Sequence, residues 1–313
     1  MPQKAGSRVG KKDDLDTYLP AAGIQPAAFM QAASTFALAS SSSMAAAPSL
    51  SASAQRTLTA RAERTIAFDT HRYPLRDLVQ SALCVQELEK LHEHEPEEFI
   101  SLGRRSANSR GPQRRIELLR HALNERWKGS PQRKEWEREY LPRLVREVIG
   151  PASMANEERL IFQRSPLLRF HVAWPLAPDE TLNPQPPVAG FGKVGHSAKP
   201  PGTLAMLHTD HDTGHPPSEV NYLLPVNLRT YGSNSLWVES APGLGDYAPF
   251  EISYGEMVQW RGNSLRHYSN RNTEDETRVS FDFRVVPGSQ WEEPMDKSLF
   301  KLGSYYLDAR ELK

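Results

Sequence analysis

The stretch RVSFDFRV, residues 278–285, decides the fold class, because polar and apolar residues alternate along it. This period predicts a β-strand that has one face on an apolar core. Three further stretches indicate strands between Gly, Pro or Asn turns: residues 219–224, 234–239 and 254–260. Short strands at this spacing predict a small antiparallel barrel or sandwich.

Upstream of this strand, three residues suit a metal ion: His208, Asp210 and His267. The first two are two positions apart, so on a strand their side chains would point to the same face. His267 follows the polar turn of residues 261–266, which can aim a third side chain inward. Two imidazoles and one carboxylate occupy three corners of an octahedron and leave the others open, as an oxygen-activating Fe(II) enzyme needs. The sequence therefore predicts these three residues as metal ligands and as the catalytic centre.

Arg278 lies eleven positions after His267 and is predicted to bind a cosubstrate. Its guanidinium can pair in two-pronged fashion with the far carboxylate of a keto acid. Ser280 shares its strand face by the period of two. A buried arginine without a partner is costly, which favours an anionic ligand. The alternative is that Arg278 pairs with an internal carboxylate, Asp282 or Glu256, and that the histidines only form hydrogen bonds.

The segment of residues 208–215 leaves other ligand sets open, because it holds three histidines and two aspartates. Gly214 and the prolines after it are expected to end the strand. His211, Asp212 and His215 are then expected on a loop at the mouth of the site. There they would support the ligands, face the substrate or be solvated.

Further residues are candidates for contacts with the substrate or cosubstrate. Glu219 and Asn221 share a strand face and could contact either molecule; the alternative is an ordinary pair at the barrel rim. Trp237 could form a wall of the substrate site, although an aromatic residue in a strand is more often part of the core. Arg169 could bind an acidic or polar substrate; the alternative is that it lies on a solvated strand face or forms internal salt bridges. We assign Asn221 to the cosubstrate, and the candidate substrate contacts are Arg169, Glu219, Trp237 and His215.

Several segments in order carry a resemblance to a known family. They are FQRSPLLRFH at residues 162–171, HTD at 208–210, GHP at 214–216, EVN at 219–221, NSLWVES at 234–240 and TRVSFDFR at 277–284. Through these segments, the stretch from Leu160 to Pro287 resembles the Fe(II)/2-oxoglutarate-dependent dioxygenase superfamily. Within that superfamily it is similar to the StrG-type oxygenase-like proteins of streptomycin biosynthesis. The resemblance covers less than half of the chain.

The resemblance implies a double-stranded β-helix core, jelly-roll or cupin-like, that is preceded by helices. It implies His208, Asp210 and His267 as the ligands of Fe(II). It also implies that Arg278, helped by Ser280, holds 2-oxoglutarate. The implied reaction consumes O2, converts 2-oxoglutarate to succinate and carbon dioxide, and hydroxylates or otherwise oxidises a second molecule. Because a carboxylate ligand leaves no equatorial place for a halide, hydroxylation is expected rather than halogenation.

Three functions from different classes are compatible with these residues. The first is hydroxylation of a small polar molecule, for instance in specialised metabolism. The second is hydroxylation of a protein or peptide that the arginine-rich stretch of residues 104–146 recruits. The third is a non-catalytic metal-binding barrel. No feature predicts an oligomeric state.

Charge and cysteine content limit the partners and the compartment. Lys and Arg together number 38, as do Asp and Glu, so the formal net charge is +0. The chain has no net positive charge that would attract nucleic acid or an anionic membrane. No apolar run approaches the ~18 residues of a membrane span. Cys84 is the only cysteine, which excludes internal disulfides and fits a reducing compartment such as the cytoplasm.

The chain is predicted to contain one folded domain. Residues 1–63 are expected to be a disordered extension rich in Ala and Ser, since this composition cannot bury enough apolar surface to fold alone. The alternative is a transit peptide, which would direct the protein to an organelle. Residues 64–313 are expected to form one oxygenase domain. Its helical part is predicted over about 73–150 and its β core over about 160–287.

Two stretches of the helical part are informative. Apolar residues recur at helical spacing from Leu75 to Leu91, which predicts a helix that packs on the core. Over residues 104–146, Arg and Lys outnumber Asp and Glu, and aromatic residues such as Trp127 and Trp136 lie among them. A nucleic-acid face is conceivable there, but amphipathic helices with solvated basic faces explain the pattern better in a neutral chain.

Overall fold

The computed structural model of this chain describes residues 63–100, 111–174, 202–293 and 298–311. Mainly antiparallel β-strands are formed, with a group of helices between the first and second strands, which confirms the predicted class of a mainly β fold with helical additions. The predicted N-terminal extension, residues 1–63, lies outside the described residues except for its last residue. The strands are β1 (Arg64–Ala67), β2 (Leu160–Gln163), β3 (Leu167–His171), β4 (Val220–Pro225), β5 (Arg229–Thr230), β6 (Leu236–Val238), β7 (Ala248–Pro249), β8 (Ile252–Ser253), β9 (Glu256–Trp260), β10 (His267–Ser269), β11 (Arg278–Pro287) and β12 (Tyr306–Asp308).

The described part of the helical group includes two π-helical turns. None of the helices in the described ranges has both the length and the apolar character that crossing a membrane requires. The α-helices are α1 (Leu75–Leu83), α2 (Pro112–Gly129), α3 (Pro131–Glu135), α4 (Leu141–Leu144) and α5 (Gly150–Ser153), and the π-helical turns are Trp136–Tyr140 and Val145–Ile149. The 3-10 helices are Leu88–Glu93, Pro96–Glu98, Asp210–Thr213, Gly232–Asn234 and Gly288–Gln290.

The helix predicted from Leu75 to Leu91 is shorter than expected. It ends at Leu83 because Cys84 adopts a left-handed conformation with φ 61, and the Cys84 N–H caps the carbonyls of the last turn. Leu91 lies instead in the 3-10 helix Leu88–Glu93, where it is fully buried. The apolar spacing therefore identified buried residues correctly, but it did not identify the break.

Within the described residues, three sheets contain the strands, and every strand pair in these sheets is antiparallel. The large sheet has the order β1-β9-β4-β11-β2-β12, and β3 also pairs with β11. A smaller sheet has the order β10-β6-β7, and a third consists of β5 and β8. The strands predicted from alternation appear as β4, β6, β9 and β11, although β6 is shorter than predicted. The double-stranded β-helix itself stays a prediction.

The apolar face of β11 joins the large sheet to the helices. Phe281 and Phe283 on this face are fully buried. The indole ring of Trp136 stacks on Phe281 with ring centroids 4.2 Å apart, and Trp127 lies 5.7 Å from the same ring. Trp136 is fully buried and Trp127 nearly so, as the prediction of amphipathic helices requires.

The opposite face of β11 is polar and belongs to the candidate site. Because side chains alternate along a strand, this face carries Arg278, Ser280, Asp282 and Arg284. Three of the four are buried and Asp282 is half-buried. A buried row of charged and hydroxyl groups is stable only where it has partners or a ligand.

Candidate metal centre

A backbone pair brings the two predicted histidine ligands together. The His208 N–H donates to the His267 carbonyl over 3.1 Å, and the His267 N–H donates to the His208 carbonyl over 2.9 Å. Their rings lie with centroids 4.3 Å apart. Two residues that are far apart in sequence are therefore held side by side by the smallest unit of an antiparallel ladder.

Each imidazole is oriented by a carbonyl two residues before it. Nδ1 of His208 lies 2.7 Å from the Met206 carbonyl oxygen, and Nδ1 of His267 lies 3.0 Å from that of Leu265. Nδ1 must donate in both contacts, so Nε2 of a neutral ring keeps its lone pair for a metal. Burial, followed by the neighbouring His208, lowers the pKa of His267 to about 4, so this ring is neutral at neutral pH.

Asp210 reaches the site from a different element than predicted. The expectation that His208 and Asp210 lie on one strand was wrong, because Asp210 begins the 3-10 helix Asp210–Thr213. The Thr209 side chain caps that helix, and the Asp210 N–H donates to the Gly262 carbonyl over 2.8 Å. Convergence on the histidines thus depends on a capped turn and not on the strand period.

The two carboxylate oxygens of Asp210 have different roles. Oδ2 accepts from Asn221 Nδ2 at 2.7 Å and from Arg284 Nη2 and Nε at 2.9 and 3.1 Å. Oδ1 instead faces Nε2 of His208 at 3.7 Å and Nε2 of His267 at 3.6 Å. Burial raises the pKa of Asp210, but Arg284 and then His267 outweigh burial and hold the pKa well below its usual range. The carboxylate is therefore ionised, with one oxygen fixed and the other available.

These three side chains fit a transition-metal ion. One ligand atom from each of His208, Asp210 and His267 lies within 4.8 Å of the others. Two imidazole nitrogens and one carboxylate oxygen form the donor set that Fe(II) sites with open positions use. Asn221 and Arg284 donate hydrogen bonds to Asp210. Metal sites use such hydrogen bonds to orient a ligand.

A second group of possible ligands, Asp210, His215 and Glu219, is less suited to a cation. Arg284 lies between its carboxylates, with Nη2 2.9 Å from Asp210 Oδ2 and Nε 3.2 Å from Glu219 Oε2. Nδ1 of His215 lies 2.9 Å from Glu219 Oε2, and the Tyr306 hydroxyl donates to Glu219 Oε1. The lone pairs of Glu219 are thus engaged, and the guanidinium would repel a metal ion.

Arg278 and Ser280 have unfilled hydrogen-bonding capacity. Arg278 is 2% exposed and Ser280 is 0% exposed, and within the described ranges Nε of the first and Oγ of the second have no hydrogen-bond partner. Burial lowers the pKa of Arg278 to about 10, so the guanidinium stays charged at neutral pH. Of the alternative partners, Asp282 acts on Arg278 through its charge, whereas Glu256 accepts from the Ser253 N–H.

The remaining predicted contact residues lie in several environments. Asn221 supports Asp210 and accepts from the Gly262 N–H at 2.9 Å, while Glu219 and His215 form the network around Arg284. Trp237 pairs in register with Tyr268, so it points to the face opposite His267, and its indole N–H donates to the Gly232 carbonyl. Arg169 lies on the polar face shared with Ser280.

The sequence prediction missed Arg284 and Tyr306. Arg284 had a signal, because it lies six positions after Arg278 and therefore on the same strand face. Tyr306 had none: β12, which carries it, follows a long connection, and nothing in its local sequence indicates that its hydroxyl reaches Glu219.

No protein-family model matches the chain. The streptomycin biosynthesis protein StrG of Streptomyces griseus is 39% identical over 108 residues, which are 33% of this chain and 50% of StrG. The chain thus matches about half the length of this curated relative.

Among solved structures, the nickel complex of the non-heme monooxygenase ThoJ has a TM-score of 0.32 at 13% identity, over 71% of each chain. HygX of Streptomyces hygroscopicus, bound to nickel, 2-oxoglutarate and hygromycin B, has a TM-score of 0.20 at 13% identity, over 31% of this chain and 48% of HygX. Structural similarity as low as that to ThoJ and HygX does not identify a function.

Proposed function

We propose that this protein is an Fe(II)- and 2-oxoglutarate-dependent oxygenase that hydroxylates a small polar molecule, with consumption of O2 and release of succinate and carbon dioxide. The observation that carries the proposal is the convergence of His208 Nε2, His267 Nε2 and Asp210 Oδ1, each held by other contacts through its remaining polar atom. A triad on one side of an ion leaves positions for a cosubstrate and oxygen.

In this proposal the chain's own residues divide the work of holding the metal. His208, His267 and Asp210 would bind Fe(II), which supplies the oxygen-activating chemistry when bound. Arg284 and Asn221 keep Oδ2 of Asp210 occupied, so that Oδ1 stays directed at the ion. Fixing the ligand in advance avoids the cost of reorganising it when the metal binds.

Arg278 and Ser280 are the proposed anchor for the far carboxylate of 2-oxoglutarate. A buried guanidinium with an unused N–H beside an unused hydroxyl is complementary to a carboxylate. His171 lies directly opposite Arg278 in register, and its Nε2 lies 2.9 Å from the Asn270 carbonyl oxygen. Asn270 is three residues after His267, about 10 Å along an extended chain. The contact of His171 with Asn270 thus joins the Arg278 end of β11 to the segment that follows His267.

The test is the anaerobic visible spectrum of the full chain with Fe(II), before and after 2-oxoglutarate is added. We expect a metal-to-ligand charge-transfer band in the wild type and no band in His208→Ala. The Arg278→Gln variant should need an at least about tenfold higher 2-oxoglutarate concentration to develop the band. This is the effect of losing a charge-assisted contact of roughly 1.5 to 3 kcal/mol. Arg164→Gln, at an exposed position, is the control for loss of one charge. A folded, iron-loaded wild type without the band would instead indicate a non-catalytic metal-binding protein.

A further inference from the structure

Glu239 carries a buried carboxylate that lies outside the candidate metal centre. The residue follows β6 directly and is fully buried. Buried carboxylates are rare unless they have partners, and both oxygens of Glu239 accept hydrogen bonds from backbone N–H groups. Oε1 accepts from the Arg266 N–H at 2.8 Å, and Oε2 accepts from the N–H groups of Gly243 and Gly245 at 3.0 and 3.2 Å. One carboxylate thus joins the loop after β6 to the turn before β10.

The peptide unit between Leu265 and Arg266 connects this carboxylate to His267. Its N–H is the group that donates to Glu239 Oε1, and its carbonyl is the group that lies 3.0 Å from His267 Nδ1. A trans peptide unit is planar, with its N–H and C=O on opposite sides, so fixing the N–H also fixes the direction of the carbonyl. Hydrogen bonds therefore run without a gap from Glu239 to the imidazole of His267.

The backbone of Glu239 reinforces the contact. Its own N–H donates to the Arg266 carbonyl over 3.1 Å. Both backbone polar groups of Arg266, the residue directly before His267, are therefore held by Glu239. In the adjoining strands, Val238 pairs in register with His267. This arrangement restricts the backbone from which the His267 side chain extends.

The charge of Glu239 acts on His267 as well as its position. Hydrogen bonds in a chain polarise one another, most strongly in a buried environment. A carboxylate on the peptide N–H increases the negative charge on the Leu265 carbonyl, which strengthens the hydrogen bond from His267 Nδ1. Such support raises the basicity of the other ring nitrogen, as a carboxylate bound directly to a metal-ligating histidine does.

We propose that Glu239 is a positioning residue for the metal centre, which orients and polarises His267 through the peptide unit of residues 265–266. This inference rests on the proposed function, because it takes His267 Nε2 as a metal ligand. It adds a carboxylate to the centre that touches neither the ion nor the cosubstrate.

Co(II) is a probe that suits the same donor set and needs neither oxygen nor turnover. The metal-free full chain is titrated calorimetrically with cobalt chloride, and urea unfolding measures the stability of each variant. Glu239→Gln keeps the size of the side chain and removes its charge. We expect it to weaken Co(II) binding by about tenfold, the lower end of the usual effect of losing support behind a ligand. Glu239→Ala should weaken binding further.

Asp246→Asn is the matched control. Asp246 lies in the same loop and accepts from the Ser240 N–H at 2.9 Å and from the Ser240 hydroxyl. Its substitution removes one negative charge and loosens the loop, but it leaves the Arg266 N–H on Glu239. Asp246→Asn should therefore lower stability and leave the Co(II) affinity unchanged, which separates a positioning role from a purely structural one.

The tautomer of His267 provides a readout that does not depend on a metal. Long-range ¹H–¹⁵N spectra of the metal-free protein, labelled at histidine, show which ring nitrogen carries the proton. We expect Nδ1–H at His267 in the wild type and a larger share of Nε2–H in Glu239→Ala. His208 is the internal control, because its Nδ1 contacts the Met206 carbonyl on another segment.

Three results would overturn the proposal: a wild-type His267 that carries its proton on Nε2, an unchanged Co(II) affinity in folded Glu239→Gln, or equal losses of affinity in Glu239→Gln and Asp246→Asn. A wild type that binds no Co(II) would count against the proposed function. A tautomer shift at His267 in Glu239→Ala would then still support the link from Glu239 to His267.

Discussion

At the scale of single residues, the site is organised by contacts that leave one atom of each ligand free. The histidines use Nδ1 for backbone carbonyls, and Asp210 uses Oδ2 for Asn221 and Arg284. Asp210 therefore has a structural role in addition to its proposed role as a metal ligand. His208 does not, because its side chain is 29% exposed and its hydrogen bond is to Met206, two residues away.

This difference predicts separate effects of two alanine variants. His208→Ala and Asp210→Ala should both lose Fe(II) binding. His208→Ala should change the free energy of unfolding of the metal-free protein by no more than about 0.5 kcal/mol. Asp210→Ala should lower it by about 1.5 to 3 kcal/mol, because the buried Arg284 loses a charged acceptor. Urea unfolding of the metal-free variants measures both values, and equal losses would contradict the role given to Arg284.

Gly262 gives a second prediction at this scale. A Cβ at this position would lie 2.7 Å from Asn221 Nδ2, so Gly262→Ala must displace the amide that holds Asp210. We expect a loss of about 1 to 3 kcal/mol in unfolding free energy and weaker Fe(II) binding. Gly129→Ala is the matched control, since nothing lies within 4 Å of its Cβ. Normal Fe(II) affinity in Gly262→Ala would show that Asn221 does not position the ligand.

Residue types could be predicted from the sequence more easily than the way they converge. The side-chain chemistry of His208, Asp210 and His267 predicted them as a ligand set, and the structure brings their ligand atoms together. The strand expected to align His208 with Asp210 is absent, because a capped 3-10 turn has no hydrophobic period that would reveal it. Arg284 was overlooked for the opposite reason. The alternation along β11 places it on the polar face, but its partner Asp210 is distant in sequence.

At the scale of elements, an ion pair ties the helices to the strands. Arg76 of α1 makes a two-pronged contact with Glu89, at 2.7 and 2.8 Å. Glu89 also accepts from the Leu228 N–H between β4 and β5, and its carbonyl accepts from the Thr277 N–H just before β11. The loop that leads into the site strand is thereby fixed to the helical part.

Glu89→Gln should show this role through pH. Burial raises the pKa of Glu89, but hydrogen bonds from Arg76 and the Leu228 N–H outweigh it and lower the pKa below its usual value. The stability that Glu89 contributes is therefore present above the unfolded-state pKa and is lost as the pH falls through the folded-state pKa. At neutral pH we expect Glu89→Gln to lower the unfolding free energy by about 1.5 to 3 kcal/mol.

Urea unfolding at a series of pH values measures the effect. The difference between wild type and variant should shrink once the pH falls below the ordinary range of a glutamate. Glu125→Gln, whose side chain is 44% exposed and pairs with Lys128 on α2, should change stability little at any pH. A difference that does not depend on pH would mean that the charge of Glu89 is not what stabilises this junction.

At the scale of the whole molecule, the helices and the large sheet share one apolar core. Trp136 is fully buried on Phe281, which lies on the reverse face of the strand that carries Arg278 and Ser280. The alternation in residues 278–285 revealed both faces of this strand. Which helix covers the apolar face could not be read from the sequence, because that packing depends on contacts between distant segments.

Trp136→Ala should therefore destabilise helices and sheet together. Removal of the ring should cost about 3 to 5 kcal/mol. Unfolding in urea, followed by far-ultraviolet circular dichroism and by fluorescence, should show one transition at a lower midpoint with both probes. Trp291→Ala, at a half-buried ring, should have a smaller effect. Helical signal that melts before the fluorescence changes would contradict a shared core.

The location of a bound metal tests the central claim most directly. A crystal grown anaerobically with Fe(II) and 2-oxoglutarate can be measured at the iron absorption edge, so that the anomalous signal marks the ion. The account predicts one peak at roughly 2.0 to 2.2 Å from Nε2 of His208, Nε2 of His267 and Oδ1 of Asp210, distances usual for such ligands. A peak between Asp210, His215 and Glu219, or none at the three predicted atoms, would contradict it.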